Sequence, residues 1–147
     1  MRRGLHGLMV SGGLAVFVLV SATGASAQEP AKPVLTLDGE AAMITILIKP
    51  DKTSDFEAVL TKLKEALEKN EKAERKQQLA GLKFYKSSQM AQGNAIYIII
   101  ADPVVKDQEY DITRLINEVF PSEIQAIFAK YKESFAGRAI APISKVK

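Results

Sequence analysis

Few groups in this chain could do chemistry, and their types narrow the options before any fold is considered. Tyr85 and Tyr97 offer phenol hydroxyls, Thr45 an alcohol and Lys49 an ammonium, all within otherwise apolar runs. Hydroxyls and a cation set among apolar residues are the composition of a small-ligand pocket, so Thr45, Tyr85 and Tyr97 are candidate ligand-binding residues. The plainer reading makes the tyrosines core or interface residues whose hydroxyls reach the rim. It leaves Lys49, beside Pro50, solvated at a strand end. A second group is acidic: Asp102, Asp107, Glu109 and Asp111. Oxygen-rich loops can hold Ca²⁺, but this spacing is not that of the EF-hand loop. Asp111 reads instead as a helix cap and the others as turn formers.

Absences exclude more. The N-terminus reads MRRGLHGLMVSGGLAVFVLVSATGASAQEP, with Arg2 and Arg3 ahead of an apolar run from Leu8 to Val20 and then Ala25-Ser26-Ala27. That is a signal peptide over residues 1–27, with cleavage expected before Gln28 and a periplasmic or extracellular destination. The apolar run is shorter than the roughly 20 residues a bilayer span needs, so no membrane association is expected after cleavage. The single histidine, His6, leaves with this segment, and the chain contains no Cys and no Trp. Without imidazole or thiolate the usual zinc and haem ligands are missing, as is Ser-His or Cys-His nucleophilic chemistry. No metal and no cofactor is therefore expected. Loss of Arg2 and Arg3 from the 20 basic residues leaves 18 against 17 acidic ones, a net of +1. Opposite charges are interleaved along the chain, so there is no basic footprint for a nucleic-acid partner.

The remaining residues must position these groups. Residues 28–40, with two prolines and little periodicity, read as a flexible leader, and 41–147 as one domain. AMITILIKP, 42–50, is a strand. Ser54 and Glu57 form a capping box ahead of a helical stripe of Phe56, Val59, Leu60, Leu63 and Leu67. EKNEKAERKQQ, 68–78, reads as a solvated face of paired charges with a break near Asn70, stopped by Gly81. Residues 82–89 and 95–102 form a hairpin about the turn MAQGN, 90–94. A loop runs from 102 to 110. Asp111 then caps a helix carrying Ile112, Leu115, Ile116, Val119 and Phe120, which Pro121 interrupts. Ser122 with Gln125 is a second capping box, for a helix bearing Ile124, Ile127, Phe128, Tyr131 and Phe135 that Gly137 stops. Residues 138–147 read as a short edge strand, because Pro142 cannot sit in a central one. The order predicts an α+β, ferredoxin-like β-α-β-β-α(-β) domain with both helical regions on one face of an antiparallel sheet.

Two of the strands are apolar on both faces. Met43, Thr45 and Leu47 alternate with Ile44, Ile46 and Ile48; Ala95, Tyr97, Ile99 and Ala101 alternate with Ile96, Ile98 and Ile100. Helices can cover one set only, and alternation alone does not say which. The other set predicts a face that a second copy would cover about a two-fold axis. Leu47, Tyr97 and Ile99 are its candidate interface residues, with Ile98 and Ile100 the alternative if the faces are reversed.

Over about residues 42–137 the chain resembles the dimeric α/β-barrel superfamily, which includes antibiotic-biosynthesis-type monooxygenases. The resemblance rests on element order, the doubly apolar strands and the proline-interrupted INEVFPSEIQAIFAKY. It implies a homodimer whose cleft could hold an aromatic or apolar small molecule. Active members often place His, Asn, Trp or Arg in that cleft; here His and Trp are absent, and no catalytic residue carries over. The expectation is an exported, non-catalytic homodimer that binds an apolar small molecule or acts as an interaction module. The alternative is a cofactor-independent monooxygenase-like or isomerase-like enzyme, with its chemistry on Tyr97, Tyr85 or Asn94.

Overall fold

The structure, a computed structural model, describes residues 31–146; the expected signal peptide and its cleavage point lie outside the described residues. Four strands and four helices follow in the order β1 (Ala41–Ile48), α1 (Thr53–Lys69), α2 (Ala73–Gly81), β2 (Leu82–Ala91), β3 (Asn94–Ala101), α3 (Ile112–Asn117), α4 (Ile124–Ser134) and β4 (Phe135–Ile143). The fold is α+β. One antiparallel sheet has the strand order β2-β3-β1-β4, with β1 and β3 at its centre.

The two strands richest in isoleucine therefore pair with each other. Ile44 lies opposite Ile99, Ile46 opposite Tyr97 and Thr45 opposite Ile98. Burial resolves the two apolar sets. Ala42, Ile44, Ile46 and Ile48 of β1 and Ala95, Tyr97, Ile99 and Ala101 of β3 are buried in one core. They share it with Phe56, Val59, Leu63 and Leu67 of α1 and Ile112, Leu115 and Ile116 of α3. The α1 stripe at helical spacing lies wholly inside, as the spacing predicts.

Helix ends differ from the sequence signals. A 3-10 turn, Pro50–Lys52, leads directly into α1, which starts at Thr53. Ser54 is thereby inside the first turn, and the expected Ser54–Glu57 box does not form. Likewise α4 starts at Ile124 with Glu123 at its cap and no side-chain cap bond, so Ser122 and Gln125 form no box. The amide of Glu123 instead bonds to the Phe120 carbonyl at 3.1 Å, continuing the turn around Pro121. Asp111 does cap α3: its Oδ1 accepts from the amides of Thr113 and Arg114, each at 3.1 Å. Asn70 ends α1 in an extended conformation, with its Oδ1 accepting from the Lys72 amide at 3.0 Å.

Two glycines play roles the sequence did not separate. Gly81 closes α2, and a Cβ there would lie 2.8 Å from the Pro103 carbonyl oxygen, so the chain crossing above it requires glycine. Gly137 is not a helix stop. The helix ends at Ser134, and Gly137 sits within β4 opposite Leu47. The hairpin turns through Gln92 and Gly93, both at positive φ, the conformation of a two-residue turn whose twist suits the strands.

The leader is the largest departure. Residues 34–40 belong to the domain: Leu37 is buried in the core, and the Leu35 carbonyl accepts from the Tyr110 amide at 2.7 Å. The Val34 and Leu35 amides both donate to the Glu109 carboxylate, at 2.8 and 3.0 Å. Prolines and weak periodicity suggested flexibility, but hydrogen bonds to a loop about seventy residues away hold this segment in place.

Candidate functional site: the uncovered face of the sheet

Opposite the core, the sheet presents a second apolar surface with no covering helix among the described residues. Three rows cross it. Lys83, Ile100, Met43 and Ala141 form one; Tyr85, Ile98, Thr45 and Ala139 the next; Ile96, Leu47 and Gly137 the third. The central side chains of β1 and β3 on this face are half-buried, packed laterally by their neighbours, while Tyr85 is 51% exposed. By residue size, the long side chains Tyr85 and Lys83 line the β2 edge, isoleucines and Met43 occupy the middle, and the small residues Gly137, Ala139 and Ala141 line β4. Lys83 is the only charged residue in the three rows.

The predicted site residues divide between the two faces. Thr45, Tyr85 and Leu47 lie on the uncovered face, with Thr45 and Tyr85 in the same row. Tyr97 and Ile99 do not join them: each is 3% exposed and faces the helices. A pocket containing Thr45, Tyr85 and Tyr97 together is thus not formed, and Leu47 shares no interface with Tyr97 and Ile99. Parity decides this, since adjacent strand residues point to opposite faces. The interface candidates consistent with Leu47 are Ile96, Ile98 and Ile100. Asn94 is a turn residue whose Nδ2 donates to the Gln92 carbonyl at 3.1 Å. Lys49 Nζ donates to the Glu133 carbonyl at 2.8 Å, at the exposed strand end.

Tyr97 reaches the far rim of the core. Its ring packs edge-on against Phe56, with centroids 4.9 Å apart. Its hydroxyl donates to Glu57 Oε1 at 2.6 Å, which also accepts from Lys86 Nζ at 2.8 Å. The Lys86 bond, with that from Tyr97, holds the Glu57 carboxyl below its ordinary value. Burial, then the Glu57 bond, pushes the Tyr97 hydroxyl up, and the Glu57 bond raises Lys86. Each group is moved away from neutrality, the opposite of what a general acid or base requires.

A second polar cluster lies in the stretch read as a solvated face. Arg75, 5% exposed, makes a two-pronged pair with Glu118: Nε to Oε2 at 2.9 Å and Nη2 to Oε1 at 2.7 Å. Its Nη1 donates to Gln78 Oε1 at 2.8 Å and Gln108 Oε1 at 3.1 Å. Gln78, fully buried, donates to the Glu109 carbonyl at 2.8 Å. Asn70 Nδ2 adds a bond to Glu118 at 2.8 Å. This network fastens α2 to α3 and to the 102–111 loop. Mixed charge at helical spacing hid it, because its partners lie 31 to 48 residues apart in the chain. Within the loop, Glu109 binds backbone amides and Asp111 caps α3, so the acidic residues serve separate structural ends. No group of three or more potential metal-ligating side chains converges among the described residues.

The chain matches no protein-family model, no curated protein and no solved structure.

Among the described residues, one cavity is small and another is open. One of about 20 Å³ lies beneath the helices, lined in part by Ile44, Ile46, Ile99, Tyr110, Tyr131 and Arg138. Burial pushes the Tyr131 hydroxyl up. A groove of about 530 Å³ between α1 and α4 is open to solvent; Lys62 on its wall is already paired with Glu123 at 3.0 Å. No described helix is long and apolar enough to cross a membrane.

Proposed function

We propose that this protein is an exported, non-catalytic interaction module that works as a homodimer, its two sheets packed through the uncovered face. The observation that carries the reading is the pair of central strands whose second apolar set, Met43, Leu47, Ile96, Ile98 and Ile100, has no helix over it among the described residues. Strands of eight residues in a four-stranded sheet outline roughly 500 Å² per copy at ordinary strand spacings, about 1,000 Å² for a pair. That reaches the floor of about 1,000 Å² for a biological interface, below the roughly 1,200–2,000 Å² of stable specific ones. Residues 34–40 are bound to the 104–110 loop and so leave the face open.

The element order supports the finer description as a ferredoxin-like domain of the dimeric α/β-barrel kind. The enclosed cavity of about 20 Å³ has room for one water molecule, not for an aromatic ligand, so it is the sheet face and not this cavity that supports the reading. Export rests on the Arg2-Arg3, apolar run and Ala25-Ser26-Ala27 pattern.

Sedimentation of three proteins at micromolar concentration tests the reading. Wild type should run as a dimer. Ile98→Lys, on the uncovered face, should run as a folded monomer, since desolvating a lone charge costs about several kcal/mol. Ile99→Lys, on the core face, should fail to fold. A compact wild-type monomer defeats the proposal.

A further inference from the structure

The helical layer carries a concavity of its own, on the side of the sheet away from the face that the homodimer reading uses. It lies between α3 and α4, holds about 350 Å³ open to solvent, and is lined by Thr113, Arg114, Asn117, Ile124, Gln125 and Phe128. We infer that this groove binds a neutral saccharide, one ring of which stacks on Phe128 while Asn117, Gln125, Arg114 and Thr113 bond its hydroxyls.

The two walls share one spacing. Asn117 lies a turn beyond Thr113 on α3 and Phe128 a turn beyond Ile124 on α4, so each pair stacks along one helix face, flanked by Arg114 and Gln125. The apolar stripe of α4 predicts an inward Phe128, but the structure turns it out. Ile124, Ile127 and Tyr131 pack against the core, whereas Phe128 is 47% exposed. Phe56, Tyr97, Tyr131 and Phe135 pair among themselves, and no aromatic ring stacks on Phe128 among the described residues. The open face of an aromatic ring is its electron-rich side, which attracts the C–H bonds on the apolar side of a sugar ring.

The polar groups around that ring are uncommitted. Asn117 and Gln125 are exposed, and neither side-chain amide has a hydrogen-bond partner among the described residues. Thr113 Oγ1 donates to Asp111 Oδ1 at 2.6 Å and keeps its lone pairs for an incoming donor. Arg114 Nε lies 3.9 Å from Glu109 Oε2, too far for a hydrogen bond but close enough for the carboxylate to offset its charge. Side-chain amides offer donors and an acceptor in one plane, and a sugar hydroxyl is both donor and acceptor, so the two sets match. Other occupants fit less well. An anion wants an unpaired cation, and Arg114 already has Glu109 beside it. A docked helix wants a row of apolar anchors, and only Ile124 and Phe128 are apolar here. The volume of about 350 Å³ is near the low end of the roughly 300–1,000 Å³ of ligand pockets, which suits a short stretch of a glycan.

Wild type, Phe128→Ala, Phe128→Trp and Asn117→Ala are tested on an immobilised panel of neutral oligosaccharides of glucose, galactose, mannose and N-acetylglucosamine. Uronic-acid and sulfated oligosaccharides and a pool of random peptides stand beside them. Both positions are exposed, so the variants should fold. Wild type should bind at least one neutral oligosaccharide, and raised salt should leave that binding unchanged, because no net charge is exchanged. Phe128→Ala should weaken it at least about tenfold, and Phe128→Trp should retain it, because the larger ring keeps the platform. Asn117→Ala, which leaves the ring in place, should weaken it as well. Binding to no neutral member would overturn the inference, as would binding confined to the acidic members or to peptides. Equal binding by wild type, Phe128→Ala and Asn117→Ala would overturn it too, since the saccharide would then sit elsewhere. The sedimentation of these proteins is a separate observable, so the homodimer reading stands or falls independently.

Discussion

Arg75 and Glu118 give the sharpest test of what holds the helical layer together. The Arg75 side chain is 6% exposed and that of Glu118 24%, with their closest contact at 2.7 Å. Replacing Glu118 with Ala leaves the buried guanidinium bonded to Gln78 and Gln108, with only the charges of Glu109 and Glu74, neither hydrogen-bonded to it, as counter-charges. Breaking a buried pair from one side costs about 3–5 kcal/mol, and the partial exposure of Glu118 places this case near the lower figure. For a domain of this size that lowers the melting temperature by roughly 10–15 °C. Arg75→Met removes the charge instead. Glu118 keeps Asn70 and water, while the buried Gln78 Oε1 loses its donor, so the loss should be about 2 kcal/mol. The double variant strands no charge and should cost about as much as Arg75→Met alone, far less than the sum of the two. Chemical denaturation of the four proteins measures this cycle. The sign of the pH dependence is also set. The Arg75 bond lowers Glu118 below its ordinary value, so the pair's contribution is complete above the usual carboxylate range. It fades as pH falls through the lowered value, and the gap between wild type and Glu118→Ala should narrow there. Bonding to Glu118 raises Arg75 further from neutrality, so alkali should leave the gap intact at any workable pH. Losses that add to within about 0.5 kcal/mol, or a Glu118→Ala cost under about 1 kcal/mol, would refute the reasoning.

Two further substitutions probe the connections around this network. Glu109→Ala should release the N-terminal segment, because its carboxylate accepts from the amides of Val34, Leu35 and Asp111. Hydrogen exchange at Val34 and Leu35 should accelerate markedly with a stability loss of about 1–3 kcal/mol, and unchanged exchange at both would count against the clamp. Gly81→Ala should destabilise by about 1 kcal/mol or more despite alanine's better helix propensity, since the new methyl would meet the Pro103 carbonyl. A more stable variant in urea titration would show that the 102–103 backbone can give way.

The sequence alone was sufficient for features that local periodicity controls. The two central strands, expected at 42–50 and 95–102 and found at Ala41–Ile48 and Asn94–Ala101, the apolar stripe of α1, the break at Asn70 and the Asp111 cap all rest on neighbours within a few residues. Two local signals are overridden by their neighbours. Serine–glutamate and serine–glutamine pairs resembled caps, but turns beginning at Pro50 and Pro121 carried the chain into α1 and α4 before either could form.

Tertiary structure alone decided which face of the sheet is covered. Alternation supplies two sets of side chains, and in β1 and β3 both are apolar, so the local pattern is nearly symmetric between them. Which set turns inward depends on where the helices attach and on the pairing of Ile44 with Ile99 and Ile46 with Tyr97, contacts more than fifty residues apart. Tyr97 and Ile99 thereby became core, while Thr45, Leu47 and Tyr85 were left on the open side. The same holds for Arg75, Gln78, Glu109 and Glu118. Each looks like an ordinary surface residue in sequence, because a charge reads as solvated until its distant partner is known. Folding brings those partners within hydrogen-bond reach, and only then can such groups be buried without being left unsatisfied.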